Sequence, residues 1–329
     1  MQFSVGYQAN PQLKHAILNH LDRVHEVYFP WAGFASGRGF ASEEAQRQME
    51  TDLDELVHAG LAANLLFNGN CYGRYSQSRV FFQKIGDTVD ALVERYTLSS
   101  VTTASPIIAK FLKTNFPSLE IRASVNMEIG TDFGMEYLLN HFDAFYAKRE
   151  LNQDWARLKR LSQWAREHGK KLYLLANSGC LNFCSVHNFH DNLVAHEREI
   201  SEMDNAFEFH GLCHEWVKRE GCAKTLLAHS NFIRPEDVSR YEEVCDGMKL
   251  ATRTTKFPGM VVDAYCEGRF HGNLLELTEP SFAAHFYPNV LANGNFPEDY
   301  AEKRLHCDKQ CDSCGYCQNV MKQTLLKLD

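Results

Sequence analysis

Seven of the eleven cysteines in this chain stand at positions that suit metal chemistry. Four close the sequence as Cys307-x3-Cys311-x2-Cys314-x2-Cys317. Two form Cys180-x3-Cys184, and Cys213 follows in a histidine-rich stretch. Thiolates two or three residues apart can converge on one metal ion or cluster, and such soft ligands select iron–sulfur clusters or zinc. Structural zinc more often uses two separated Cys-x2-Cys knuckles, with chain between them to build a ribbon or finger. A single tight run is closer to ferredoxin-type ligation. The tail therefore reads as an iron–sulfur site, [4Fe-4S] by preference, with zinc as the alternative. One of its cysteines could serve a neighbouring site, so one cluster or two are expected. Cys222, Cys245 and Cys266 lack a partner at ligand spacing and read as core or incidental residues. A buried small hydrophobe is also the competing reading for Cys180 and Cys184.

The elements that would position these thiols are short β-rich runs alternating with helical stretches. Strand candidates fall at 26–30, 62–67, 99–104, 120–125, 144–149, 171–176, 225–230 and 248–253, with a further one at 3–7 ahead of them. Between them lie helix signals. Asp154 caps a helix that buries Trp155, Leu158, Leu161 and Ala165 and stops at Gly169. Pro235 opens another, and 78–96 reads as helical despite Gly86. This alternation predicts an α/β fold, a (β/α)8 TIM-type barrel, with an open doubly wound sheet as the alternative. The barrel is expected to span 1–290, with a Cys/His-rich insert at about 180–223. A short cysteine-rich extension, 291–329, would bind the metal or cluster.

In a parallel barrel, function collects where strands end and helices begin. Cys180 and Cys184 sit at such an end, and Asn68-Gly69-Asn70-Cys71 at another. The topology thus turns Cys180, Cys184, Cys213 and Cys71 toward one mouth, with Cys71 a possible fourth ligand. Strand-end Asn68, Asn126, Glu128, Arg149, Asn177, His229 and Arg253 are candidates for binding a polar, anionic substrate. His187, His190 and His196 read as polar residues on an exposed helix.

Bulk composition narrows the classes. With 329 residues, 44% hydrophobic and 23% charged, the chain can bury a full core. A net charge of −8 argues against general nucleic-acid binding. The sequence holds no run of about 18 apolar residues, so no membrane span is expected. The first residues lack a signal-peptide pattern. A cytoplasmic location is expected, where close-set cysteines read as metal or redox ligands before disulfides.

Two resemblances add to this reading. Cys180-x3-Cys184-x2-His187 resembles the radical S-adenosylmethionine motif with histidine in place of its third cysteine. That motif normally follows a first strand, whereas this one follows a late strand. More of the chain resembles the collagenase-like peptidase family of TIM-barrel proteins (U32), which includes relatives of the proteins of oxygen-independent ubiquinone and RNA hydroxylation. Three stretches carry the resemblance. Phe207-Glu208-Phe209-His210-Gly211-Leu212-Cys213 is similar to the family's His-Gly-x-x-Cys stretch, one residue short. Asn231-Phe232-Ile233-Arg234-Pro235-Glu236-Asp237 looks like the segment before a late barrel helix. Asn177-Ser178-Gly179-Cys180-Leu181-Asn182-Phe183-Cys184 is similar to cysteine-bearing strand ends. The resemblance implies a (β/α)8 barrel with a cysteine-bound [4Fe-4S] cluster near the mouth, and only Cys213 carries over by motif. The Tyr-Ser-Gly-x-Cys that follows in the family is absent, and the four-cysteine tail is an addition.

The functional expectation is an iron–sulfur protein, an oxidoreductase or hydroxylase-like enzyme acting on a small molecule or nucleotide at the mouth. It would use a protein partner or electron donor. The alternatives are a cluster-bearing accessory subunit, a zinc-stabilised binding protein and a U32-type peptidase. H-E-x-x-H and G-x-S-x-G motifs are both absent, so a peptidase would need a cysteine nucleophile with a nearby histidine.

Overall fold

Eight parallel strands close into a barrel in sequence order. They are β1 (Phe3–Gly6), β2 (Val24–Pro30), β3 (Ala62–Phe67), β4 (Leu98–Thr103), β5 (Glu120–Ala123), β6 (Ala144–Tyr146), β7 (Lys171–Leu175) and β8 (Gly247–Leu250). β1 pairs with both β2 and β8 and completes the ring. The structure is a computed structural model, and it describes every residue except Phe40, Ala41, Tyr75, Ala206, Glu208, His210 and Asp329, together with the Asp312 side chain. Glu208 and His210 of the family-like stretch therefore lie outside the described residues.

The (β/α)8 expectation holds, with two corrections to the strand count. The run at 3–7 is the first strand. The run at 225–230 is not a strand: it forms a 3-10 turn, Cys222–Thr225, and a short helix, Leu226–His229. A short apolar run cannot be assigned to strand or helix by periodicity alone, and here the ring is already full without it. Cys71 accordingly follows β3, and Cys180 follows β7.

Local chemistry explains the helices around the ring. Ser42, Ser78, Ser105 and Asp154 each accept a hydrogen bond from a first-turn N–H. Leu158, Leu161 and Ala165 are buried on the barrel side of helix Trp155–Glu167, as their spacing predicts, whereas Trp155, expected with them, is only half-buried at the first turn, edge-on to Tyr241. The segment opened by Pro235 is a 3-10 helix, Pro235–Tyr241.

The barrel interior is unusually polar. Glu26 on β2 is fully buried and accepts from Ser4 of β1 (2.5 Å), Asn64 of β3 (3.1 Å) and Ser100 of β4 (3.1 Å). Arg122 of β5 grips both its oxygens, at 2.8 and 2.7 Å. Burial pushes this carboxyl up, but the Arg122 charge and the Ser4 hydrogen bond outweigh that push and hold it below the usual range. Above this network, Tyr28 of β2, Tyr146 of β6 and Lys249 of β8 form a layer drawn from even-numbered strands, the packing rule of such barrels.

Beyond the barrel, the chain adds β9 (Asn289–Leu291), paired antiparallel with β10 (Leu325–Lys327). Between them run helices Tyr300–Leu305, Cys311–Cys314 and Tyr316–Thr324. Among the described residues, no helix is long and apolar enough to cross a membrane.

Glu26→Gln should destabilise the fold by about 3–5 kcal/mol, because it strands Arg122 in a dry interior. Urea unfolding followed by circular dichroism would measure this, and Glu26→Gln with Arg122→Met should recover part of the loss. A single-variant cost under ~1 kcal/mol would contradict the role assigned to the pair.

Candidate active site at the barrel mouth

The strand ends place a chain of polar groups around the mouth. Asn68, after β3, accepts from the Gly37 N–H (3.0 Å), and its carbonyl accepts from Asn126 Nδ2 (3.4 Å). Arg149, after β6, donates to Asn126 Oδ1 (3.0 Å) and lies 3.5 Å from Glu128. Arg149 is buried, yet its Nη1 has no hydrogen-bond partner, and neither does Nη2 of Arg38. Arg38 reaches over the rim to Tyr28 Oη (3.4 Å). It can do so because residue 6 is glycine: a Cβ there would lie 2.2 Å from the guanidinium.

The insert after β7 covers this mouth. Helix His187–Ala195 is anchored by His187, whose ring sits 2.7 Å from Glu128 and 3.5 Å from Asp191. Against the upward push of burial, His187 and Lys148 hold the Glu128 carboxyl down to about 2. At the far end, Glu197 reaches Arg253 at 3.9 Å, passing over Gly39, where a Cβ would meet the Glu197 carboxylate at 1.8 Å. His187 and His196 are thus not the exposed residues expected: His187 pins the lid, and His196 contacts Cys71 and Glu199.

The candidate residues divide accordingly. Asn68, Asn126, Glu128, Arg149 and Arg253 ring the mouth. Asn177 is buried below it, its amide committed to the backbone of Ala251 and Leu277. His229 is not at a strand end. It sits beside Trp216, 5.0 Å between ring centroids, and lines the tail cavity instead.

The mouth thiols form two neighbouring pairs. Cys213 bears on the ionisation of Cys180, and Cys184 on that of Cys213. Burial pushes the Cys180 thiol up to about 11, with Arg149 opposing. Cys71 faces elsewhere. Its sulfur accepts the Gly73 N–H at 3.4 Å, and that bond with His196 draws its pKa down.

Cys307, Cys311, Cys314 and Cys317 line one cavity of about 960 Å³. Arg304 is buried against it and donates to Cys317 Sγ (3.1 Å) and to the Ser230 carbonyl (2.9 Å), while its Nε has no partner. Four thiols facing a buried guanidinium fit a soft, anionic metal group. Among the described residues, no three His, Cys, Asp or Glu side chains are drawn into ligand-like grouping in either set.

One turn touches both regions. The buried 3-10 segment Arg149–Gln153 sends Arg149 to the mouth and Gln153 to Arg304. Between them, Glu150 Oε1 accepts from Phe183 N (3.0 Å), and the Glu150 carbonyl accepts from Lys309 (3.5 Å). Sequence reasoning missed this turn, and it missed Arg38, Lys249 and Arg304. A charge inside an apolar β-run, as in Gly247-Met248-Lys249-Leu250, was the available signal.

Comparison with known proteins bears on the fold. No family model matches the chain. In sequence it is 22% identical, over an alignment of 342 residues, to the uncharacterized protease MJ1657 of Methanocaldococcus jannaschii, covering 98% of each chain. In structure it is similar to the U32 peptidase Mk0906, with a TM-score of 0.58 and 15% identity over 76% of this chain and 92% of that one. A phosphoribosyl anthranilate isomerase from Thermus thermophilus is more distant, with a TM-score of 0.40 and 11% identity over 82% of this chain and 98% of that one. The resemblance to the U32 peptidases read from three short stretches extends to the barrel fold, and the chain is a (β/α)8-barrel protein similar in fold to a U32 peptidase.

Glu128→Gln should loosen the lid without unfolding the barrel. Losing an ion-pair contact worth ~1 kcal/mol should speed amide exchange across His187–Ala195 about five-fold. Exchange mass spectrometry should find β1–β8 unchanged, and equal exchange in the lid helix of both proteins would refute its anchoring role.

Proposed function

We propose that this chain is an iron–sulfur barrel enzyme of oxidoreductase or hydroxylase type, acting on a small anionic molecule or nucleotide beneath the lid. The buried turn Arg149–Gln153 is the observation that carries this reading, since it joins the mouth to the cysteine cavity. Cys307, Cys311, Cys314 and Cys317 would hold one cluster, and Cys180, Cys184 and Cys213 a second with an open coordination position. A bound cluster would supply one-electron transfer or Lewis acidity. The chain's own residues do the rest. Arg38, Arg149 and Arg253 attract and orient the anion, helix His187–Ala195 excludes water, and Arg304 balances negative charge in the tail. Cys314 is exposed, which leaves the tail open to an external electron donor.

Anaerobic iron and sulfide analysis tests this directly. Several irons per chain and a broad absorbance near ~400 nm are expected. Cys314→Ser and Cys180→Ser should each lower the iron content. If neither does, both ligand assignments fail, and one zinc without iron or sulfide would favour a zinc-stabilised binding protein.

A second reading has its own support. Full-length similarity to a protein named as a protease coincides with a Cys71–His196–Glu199 series, in which His196 contacts both the thiol and a carboxylate. That order of nucleophile, base and orienting group is the logic of thiol hydrolases. On this reading, peptide hydrolysis survives removal of iron and is abolished by Cys71→Ala. Hydrolysis unaffected by that substitution would remove Cys71 from the chemistry.

A further inference from the structure

Lys249 is the strangest residue in the barrel wall. It lies on β8, in register with Ser4 of β1 and Leu175 of β7, with its side chain inside the ring. Its Nζ is 3.8 Å from the centroid of the Tyr28 ring and 5.3 Å from that of Tyr146. Among the described residues, no hydrogen-bond acceptor or carboxylate pairs with it. Glu26 acts on it from a distance but is already gripped by Arg122 on both oxygens. Arg38, Arg149 and Arg122 all bear on the same amine. Burial first, and then these guanidinium charges, push its pKa down to about 7.

An unpaired lysine in a dry core is costly, and an apolar residue would fill the space more cheaply. Its worth is chemical: held without its proton, a lysine amine is a nucleophile toward carbonyl carbon. The surroundings say which carbonyl. Arg149 Nη1, 3.5 Å from the Glu128 carboxylate, and Arg38 Nη2 are both buried without a hydrogen bond, and both belong to side chains whose charge reaches Lys249. A carboxylate held between them would present an adjacent carbonyl to the amine below.

We propose that Lys249 is a catalytic amine that forms an imine with a small 2-oxo acid or similar anionic carbonyl compound bound at the mouth. The Nζ lone pair attacks the carbonyl carbon, a C–N bond forms, and a proton moves from nitrogen to the carbonyl oxygen. The hydroxyl then leaves with the second N–H proton as water, and the nitrogen lone pair closes the C=N bond. No electrons are gained or lost, so no oxidant or metal is needed. The proposal rests on the mouth being the anion site and is independent of either cluster.

Reductive trapping tests it on the full-length protein. Glyoxylate with sodium cyanoborohydride should convert Lys249 to carboxymethyl-lysine at least about tenfold faster than the other lysines, the selectivity that a pKa lowered by burial and charge provides. Peptide mass mapping locates the label in the unaltered protein, so the result does not depend on a variant folding. Lys249→Met should remove the fast phase and leave the slow surface labelling. Propanal, an uncharged aldehyde, should label Lys249 more slowly than glyoxylate. Equal labelling by both would keep the amine chemistry but overturn the anionic substrate and the anion-binding reading of the mouth. Labelling of Lys249 no faster than the other lysines by either reagent would overturn the imine proposal itself.

Discussion

The buried pair of Glu26 and Arg122 is the constraint on which the rest of the barrel depends. A carboxylate with no access to water is tolerable only when its lone pairs are filled and its charge is met. Here the partners come from β1, β3, β4 and β5, so satisfying one residue of β2 aligns five neighbouring strands. A one-residue slip of β2 would turn Glu26 outward against the helices and leave Arg122 alone inside. The pair therefore buys register, whatever its net worth as an ion pair. It also consumes the interior carboxylate, so the layer above it is electrostatically positive. Lys249 is unpaired because Glu26 is not.

That positive layer connects to the tail through a short piece of backbone. Arg149–Gln153 is buried along its whole length, and successive side chains point to different tasks: one to the rim, one to the cysteine-bearing loop at Phe183, one to Arg304. Such a turn couples the two regions geometrically, because a shift that re-aims Arg149 must also move Gln153. The lid works on the same rim from the other side, through Glu128 and Arg253. The mouth is thus framed by contacts with elements distant in sequence, and few of them belong to a recognisable motif.

This explains how much could be read in advance. The strands were legible because apolar runs bounded by turn residues are local signals, and the tail cysteines because their spacing is local too. The barrel order holds even though 225–230 reads as a strand and folds as a turn and short helix, since β1 fills its place in the ring. The lid was not legible: His187 and His196 look like surface residues on an amphipathic stretch until Glu128 and Cys71 are brought beneath them. Asn177 looked like a substrate group because it ends a strand, but its amide bonds to the backbone of Ala251 and Leu277. Lys249 and Arg304 were invisible because their meaning lies in what fails to pair with them, and pairing is a property of the fold.

The cysteines, so alike in sequence, differ most in their surroundings. Cys180 is half-buried, and burial of its thiol holds the proton on; a thiol in that state is a poor nucleophile, and only a strong electrophile such as a metal would displace the proton. Cys213 is shifted the same way by burial. Cys71 is the reverse, partly open to solvent with a backbone N–H and an imidazole favouring its thiolate. Metal ligation and nucleophilic attack both need the thiolate, and the surroundings favour it at Cys71 while burial disfavours it at Cys180 and Cys213. Cys180 and Cys213, which keep their protons until a cation displaces them, are therefore poor candidates for attack, whereas Cys71 is poised for it beside His196 of the lid.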